Sequence, residues 1–309
     1  MKAIRLHARG GPESLRFEDA PTPRPGPGEV LVRVRAAAVT PTELLWVPTW
    51  APRDGGPRPL PVIPGHEFSG EVAALGEGVT AVGVGEPVYG MNDWFGDGAQ
   101  AEYCLAPPAD VARKPASVDH AHAAVTPISA LTAWQGLFER ARLAAGQHVL
   151  IHGAAGGVGL FAVQLARRRG ARVTATAAAG NLDFVRGLGA DGVIDYRAER
   201  FEERVRGVDA VFDTVGGDTL RRSWGVLRPG GRLVTIAASE EGSPDGRTRA
   251  AFFIVEPRRG ELEEVARLID SGEVRPVVGA EFPLADALLA YRHKPARGKV
   301  VLRVGDDEG

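Results

Sequence analysis

Cysteine is almost absent from this chain of 309 residues: Cys104 stands alone. No intramolecular disulfide can form, and no cysteine-rich zinc site can be built. An excess of charge of one sign is also missing. Lys plus Arg number 37 against 39 for Asp plus Glu, a net charge of −2, which withholds the basic surface of a dedicated nucleic-acid or anionic-membrane binder. No uninterrupted apolar run approaches the ~18 residues of a membrane span. Lys2 and Arg5 fall where an export signal would place its apolar core, so the expectation is a cytosolic, reduced chain without one. There is no fixed-period repeat, no Gly-x-Ser-x-Gly elbow and no pair of carboxylates at a suggestive spacing, so no nucleophile arrangement stands out. Hydrophobic residues at 44% and charged residues at 25% exclude wholesale disorder, and the length suggests about two domains.

Glycine (40 residues) and proline (23) are plentiful and densest in the first third, which predicts short strands joined by turns. Residues 29–35 alternate charge and aliphatic side chains after a Pro/Gly-rich stretch, and residues 68–75 and 86–90 read as further strands. Up to about residue 120 the pattern is antiparallel β with little helix. Residues 119–140 then support helix, interrupted by Pro127 and Gly136. Beyond them strands (148–152, 172–176, 193–195, 208–213, 232–236) alternate with helices (160–169, 182–188, 260–271), as in a parallel sheet of βαβ units. The fold class expected is α/β, a doubly wound Rossmann sheet beside a β-rich domain.

Gly153-Ala154-Ala155-Gly156-Gly157-Val158-Gly159 lies between a strand and a helix. Glycines there allow a tight turn and close approach of a pyrophosphate, which the helix N-terminus stabilises. The strict G-x-G-x-x-G spacing fails, because Ala154 stands where the first glycine belongs. In its strand–turn–helix setting the turn still favours a dinucleotide site over a plain connection. An NAD site usually carries an acid ~20 residues further on, for the ribose 2′-hydroxyl. Here Ala177-Ala178-Ala179-Gly180-Asn181 fills that place, so a 2′-phosphate meets no carboxylate. Asn181, Tyr196 and Arg197 can supply donors, or Tyr196 and Arg197 can simply cap the third strand. The expected cofactor is NADPH, held by Ala155, Gly156, Gly157, Val158, Ala177, Asn181, Tyr196, Arg197, Thr214 and Ala237.

Pro64-Gly65-His66-Glu67-Phe68-Ser69-Gly70-Glu71-Val72, the glycine turn, Gly187-Leu188-Gly189-Ala190-Asp191 and the closing Gly298-Lys299-Val300-Val301-Leu302 together resemble the medium-chain dehydrogenase/reductase superfamily. Within it the chain is similar to the zinc-independent quinone oxidoreductases, also called zeta-crystallin-like. The resemblance covers nearly the whole chain. It implies a GroES-like catalytic domain formed by both chain ends (1–122 and 273–309) around a Rossmann domain (123–272). It also implies NADPH in the cleft between them, a small-molecule substrate and a homodimer.

Gly65-His66-Glu67 matches the zinc-ligand motif of the superfamily's alcohol dehydrogenases, whose metal also uses two cysteines. Thr40 replaces the first, and none stands near Pro127 for the second, so no metal is expected. The quinone reductases usually carry an Asn where Thr40 stands, which leaves the substrate class open. Thr42 matches a hydroxyl that relays protons in the zinc enzymes and is the catalytic candidate; a threonine satisfied by its own turn is the plainer reading. Quinones lead as acceptors, polarised by Thr42 or water. A reductase of α,β-unsaturated aldehydes, ketones or thioesters is the alternative, and a non-catalytic NADPH-binding structural or sensor protein is the second class.

His120-x-His122 points to two faces of a helix, so two solvent-facing histidines are expected rather than a metal pair. Trp46, Trp50, Trp94 and Phe95 suit either a cleft for a flat substrate or ordinary packing. Arg167-Arg168-Arg169 fits a helix C-terminus, and Cys104 reads as a small buried hydrophobe.

Overall fold

The computed structural model describes residues 1–305. The N-terminal third forms β1 (Lys2–Leu6), β2 (Leu15–Asp19), β3 (Val30–Val39), β4 (Glu67–Leu75), β5 (Pro87–Met91), β6 (Tyr103–Ala106) and β7 (Val111–Arg113). The middle supplies β8 (His148–Ile151), β9 (Arg172–Ala177), β10 (Gly192–Asp195), β11 (Val208–Asp213) and β12 (Leu227–Thr235). The C-terminal part adds β13 (Val278–Pro283) and β14 (Lys299–Arg303).

β8 to β12 make a parallel sheet in the order β10-β9-β8-β11-β12. Val149, Leu150 and Ile151 of β8 are wholly buried, as expected of a central strand covered by helices on both faces. Each contributes about 1.5–3 kcal/mol by leaving water. The strand order reverses between β8 and β11, and in such sheets ligands bind beyond the carboxyl ends at that point. A bridge from Thr235 to Phe252 extends the sheet beyond β12.

The second sheet runs β13-β14-β3-β4-β5-β7, with β6 also on β3. Val300 pairs with Val39 and Leu302 with Ala37, so the last strand lies beside one of the first and both chain ends build this sheet. The hairpin of β1 and β2 is a small sheet of its own, bridged to the β-rich part at Ala3–Ala101 and Leu6–Val62.

The glycine turn leads into the helix Gly157–Arg168. Leu160, Phe161, Val163 and Leu165 are buried on its inner face. Gly170, at φ +79°, donates to the Arg167 carbonyl and Ala171 to the Ala166 carbonyl, a Schellman stop. Residues 119–140 are interrupted where the sequence indicates. Helices His120–Ala124 and Pro127–Trp134 are followed by a wider π-type turn, Gln135–Arg140. Gly136 is needed there, since a Cβ would lie 2.1 Å from the Phe212 ring.

Candidate functional site

A cavity of about 750 Å³ opens at the carboxyl ends of β8, β9, β10 and β11. Ala155, Gly156, Ala177, Asn181, Tyr196, Arg197 and Thr214 all line it. Gly157, Val158 and Ala237 lie outside that lining: Gly157 begins the helix beside Ser129 and Lys299, and Val158 packs toward the core. Ala237 is buried against Gly216.

Gly153 turns the chain at φ +71°, and a Cβ on it would meet Thr214 Oγ1 at 2.2 Å. The following helix has Gly156 as N-cap and no side-chain cap, so its first N–H groups remain available to an anion. Thr214 Oγ1 donates to the His152 carbonyl at 2.9 Å. Ser223 Oγ donates to the Thr219 carbonyl, so it accepts from His152 Nε2–H, and His152 Nδ1 accepts from Thr176. Burial pushes His152 down to about 3, which keeps this ring neutral in the cavity wall.

Positive charge gathers at the outer end of the cavity. Arg197 stacks over Tyr196, and Arg297 over Phe184 at 4.7 Å. Arg222 is held by Glu202 and Asp218, and among the described residues the one lining carboxylate, Glu199, is paired with Arg204. Asn181, expected to face the cofactor, spends an amide N–H on the Ala296 carbonyl at 2.7 Å. That bond, with Gly298 N donating to Ala155 O at 2.9 Å, ties the glycine turn to the C-terminal segment.

Where that segment crosses to the β-rich part, a second group of polar side chains is buried. Lys299 Nζ pairs with Glu67 Oε1, and Ile128 N donates to Glu67 Oε2 at 3.0 Å. Burial pushes the Glu67 carboxyl up, against the pull of Lys299. Glu43 Oε1 accepts from Gly65 N at 2.6 Å and lies 2.6 Å from His66 Nδ1. Among the described residues, His66 Nε2, Thr40 Oγ1 and Ser129 Oγ are buried without a hydrogen-bond partner. Trp94 rests on the His66 ring at 5.3 Å, and Trp46 meets Trp94 edge-on at 5.2 Å. These two tryptophans adjoin the polar group, whereas Trp50 is buried with its Nε1 on the Leu44 carbonyl and Phe95 carries Arg53.

Thr42 sits exposed on the 3-10 turn Pro41–Leu45. His120 departs from the surface reading: it is half-buried, and its Nδ1–H donates to Ser69 Oγ at 2.8 Å, because Ser69 already donates to Val88 O. Cys104 is buried in β6, as its apolar setting suggested, and burial pushes its thiol up.

Zinc at a catalytic site takes three protein ligands. The carboxylate of Glu43 is engaged by Gly65 N and His66 Nδ1, and that of Glu67 by Lys299 and Ile128 N. Among the described residues, no three His, Cys, Asp or Glu side chains are placed to hold a metal.

Sequence reasoning missed Arg297, Lys299 and Glu43. Arg297 and Lys299 flank Gly298 in a stretch already conspicuous by its motif, so proximity along the chain was the available signal. Nothing local marks Glu43 as a partner of His66, 23 residues away.

Residues 26–116 match the alcohol dehydrogenase GroES-like domain family, and residues 188–302 match the zinc-binding dehydrogenase family. The quinone oxidoreductase of Rattus norvegicus is 30% identical over 98% of this chain and 97% of its own. The NADPH-dependent alkenal/one oxidoreductase of Arabidopsis thaliana is 32% identical over 98% of this chain and 79% of its own. Among solved structures, the quinone oxidoreductase of Coxiella burnetii superposes with a TM-score of 0.89 at 31% identity, covering 99% of both chains. A mycobacterial protein solved in complex with NADPH gives 0.83 at 33% identity, covering 98% of this chain and 100% of the other.

Proposed function

Since the chain belongs to the medium-chain dehydrogenase/reductases as a quinone oxidoreductase-like oxidoreductase, we propose that it is an NADPH-dependent reductase of quinones or similar activated carbonyl acceptors, working without zinc. The observation that carries the cofactor reading is the cavity's outer end. Arg197 and Arg297 stand there, with Tyr196 beside them, and the segment after β9 offers no carboxylate. A 2′-phosphate would gain charge-assisted bonds there. The glycine turn and the uncapped helix would hold the pyrophosphate, directing the nicotinamide toward the buried polar group around His66.

When bound, NADPH supplies a hydride from its nicotinamide ring. The chain's own part is to orient the acceptor, exclude water and place a hydrogen-bond donor at the oxygen that gains negative charge. Trp46 and Trp94 offer aromatic surface to a flat acceptor, and Thr42 offers a hydroxyl at the exposed side. In this reading residues 1–122 and 273–309 form the catalytic part, residues 123–272 the cofactor part, and the assembly is a cytosolic homodimer.

Consumption of NADPH against a panel of quinones and α,β-unsaturated aldehydes and ketones, with NADH in parallel, tests the proposal. Turnover of quinones, faster with NADPH, supports it. Turnover of unsaturated carbonyls alone moves the chain to the double-bond reductases, a reading favoured by its 32% identity to the alkenal/one oxidoreductase and by Thr40. NADPH binding without turnover of any acceptor leaves a structural or sensor protein.

A further inference from the structure

We propose that Phe184 is a positioning residue for the cofactor: its ring holds the Arg297 guanidinium at the outer end of the cavity, set for the 2′-phosphate of NADPH. The inference rests on the NADPH reading and names the side chain through which a late arginine becomes part of that site.

Arg297 is exposed, and a free arginine side chain spreads over many rotamers. Ordering it on a phosphate costs that freedom, so a guanidinium held in advance binds more tightly. Three contacts hold this one. Ala296 O, on the residue before, accepts from Asn181 Nδ2 at 2.7 Å. Gly298 N, on the residue after, donates to Ala155 O at 2.9 Å. The backbone of Arg297 is thereby tied on both sides to the turns that follow β8 and β9. Gly298 sits at φ +70°, where a Cβ would lie 2.3 Å from Val277 O, so only glycine passes there. The third contact settles the side chain: the guanidinium carbon lies over the Phe184 ring, 4.7 Å from its centroid.

Phe184 is itself fixed. It belongs to the helix Leu182–Gly187 and is half-buried, packed against the core of the parallel sheet. Arg197, by contrast, rests on the neighbouring Tyr196, a residue 54% exposed. Arg297 is the better anchored of the two cations.

A guanidinium lying over a ring engages its face and keeps its N–H edges open, the edges a phosphate needs. Among the described residues no carboxylate forms an ion pair with Arg297, and Asp183, beside Phe184 in the chain, pairs with Arg186. Arg222, also of the cavity lining, has its N–H groups engaged by Glu202 and Asp218. Phe184 lies outside that lining, so its effect on the cofactor passes through Arg297.

The test titrates NADPH and NADH by fluorescence, at fixed salt, into wild type, Phe184→Leu, Phe184→Met, Phe184→Tyr and Arg297→Ala, and into the double variant Phe184→Leu/Arg297→Ala. Leu and Met keep an apolar side chain on the core and remove the ring face, so either one that folds serves. Both should weaken NADPH by about two- to fivefold, the range of an exposed cation–π contact, and leave NADH affinity where it is. Phe184→Tyr keeps the ring and should bind both nucleotides as wild type does. In the Arg297→Ala background, Phe184→Leu should change nothing further, because the guanidinium it releases is gone. Equal weakening of both nucleotides, or a loss that persists in that background, overturns the assignment and makes Phe184 a packing residue. An unchanged NADPH-to-NADH ratio in the ring-less variants or in Arg297→Ala, with wild type preferring NADPH, also overturns it and leaves the cofactor reading standing. Wild type that binds NADPH no better than NADH overturns that reading itself.

Discussion

Lys299 on the last strand closes an ion pair onto Glu67, 232 residues earlier, at the junction of the two sheets. The Glu67 side chain is 1% exposed and that of Lys299 is 12% exposed, so the pair is largely removed from water. Removing one partner of such a pair is costly, because the other charge stays buried. Lys299→Met should therefore lower unfolding stability by about 3–5 kcal/mol at pH 7. Adding Glu67→Gln should recover most of the loss. Urea unfolding of the two variants checks both outcomes, and equal instability of single and double variants would contradict the argument.

The cofactor preference should depend on residues that two distant parts of the chain bring to the outer end of the cavity. Tyr196→Phe with Arg197→Ala should narrow the preference for NADPH over NADH, and Arg297→Ala should narrow it further, by about tenfold for each lost charge-assisted contact. NADH affinity should barely change. Titration with both nucleotides at fixed salt measures this, and an unaltered ratio would clear these residues of any role at the 2′-phosphate.

Gly159→Ala probes the turn itself. A Cβ at this position would lie 2.2 Å from the Gly153 carbonyl oxygen, a backbone atom that cannot swing aside. The helix must move off the turn, which costs about 1–3 kcal/mol of stability by overpacking. NADPH affinity should fall at least tenfold, since the helix N-terminus is displaced. Wild-type affinity in the folded variant would place the cofactor elsewhere.

His152 sets an acid limit on stability. In the unfolded chain it titrates near its ordinary 6.5, and in the fold near 3. Between those values the unfolded chain holds a proton that the folded chain does not, so stability is lost as pH falls through this window. One such proton gives a slope of about 1.4 kcal/mol per pH unit. His152→Gln should flatten this dependence, as measured by urea unfolding at pH 7, 5.5 and 4.5. An unchanged slope would assign the acid sensitivity to other groups.

The parallel sheet was legible because its evidence is local. Residues 148–152 and 208–213 are apolar runs, and Gly153 to Gly159 mark the turn between strand and helix. The antiparallel part was legible as strands but not as pairings: nothing near Val39 announces Val300 as its neighbour. The same limit governs the site. Tyr196, Arg197 and Thr214 follow strand ends and could be named in advance, whereas Arg297 arrives from a segment about a hundred residues later. His120 was misjudged because helical spacing tells which way a side chain points, and says nothing of a serine 51 residues away in β4.

The position of β14 bears on how the molecule is made. A ribosome releases β3 and its neighbours early, and β6 pairs with residues 30–33 of β3, yet β14, which pairs with residues 36–39, emerges only after the whole parallel sheet. The parallel sheet has all its strands well before then and can fold as a unit. Until residues 299–303 arrive, residues 36–39 of β3 present unpaired backbone groups, a surface on which other nascent chains can pair. The same late segment carries Arg297, Gly298 and Lys299. Completion of the barrier against misassembly and completion of the nucleotide cleft are therefore one event in the life of the chain.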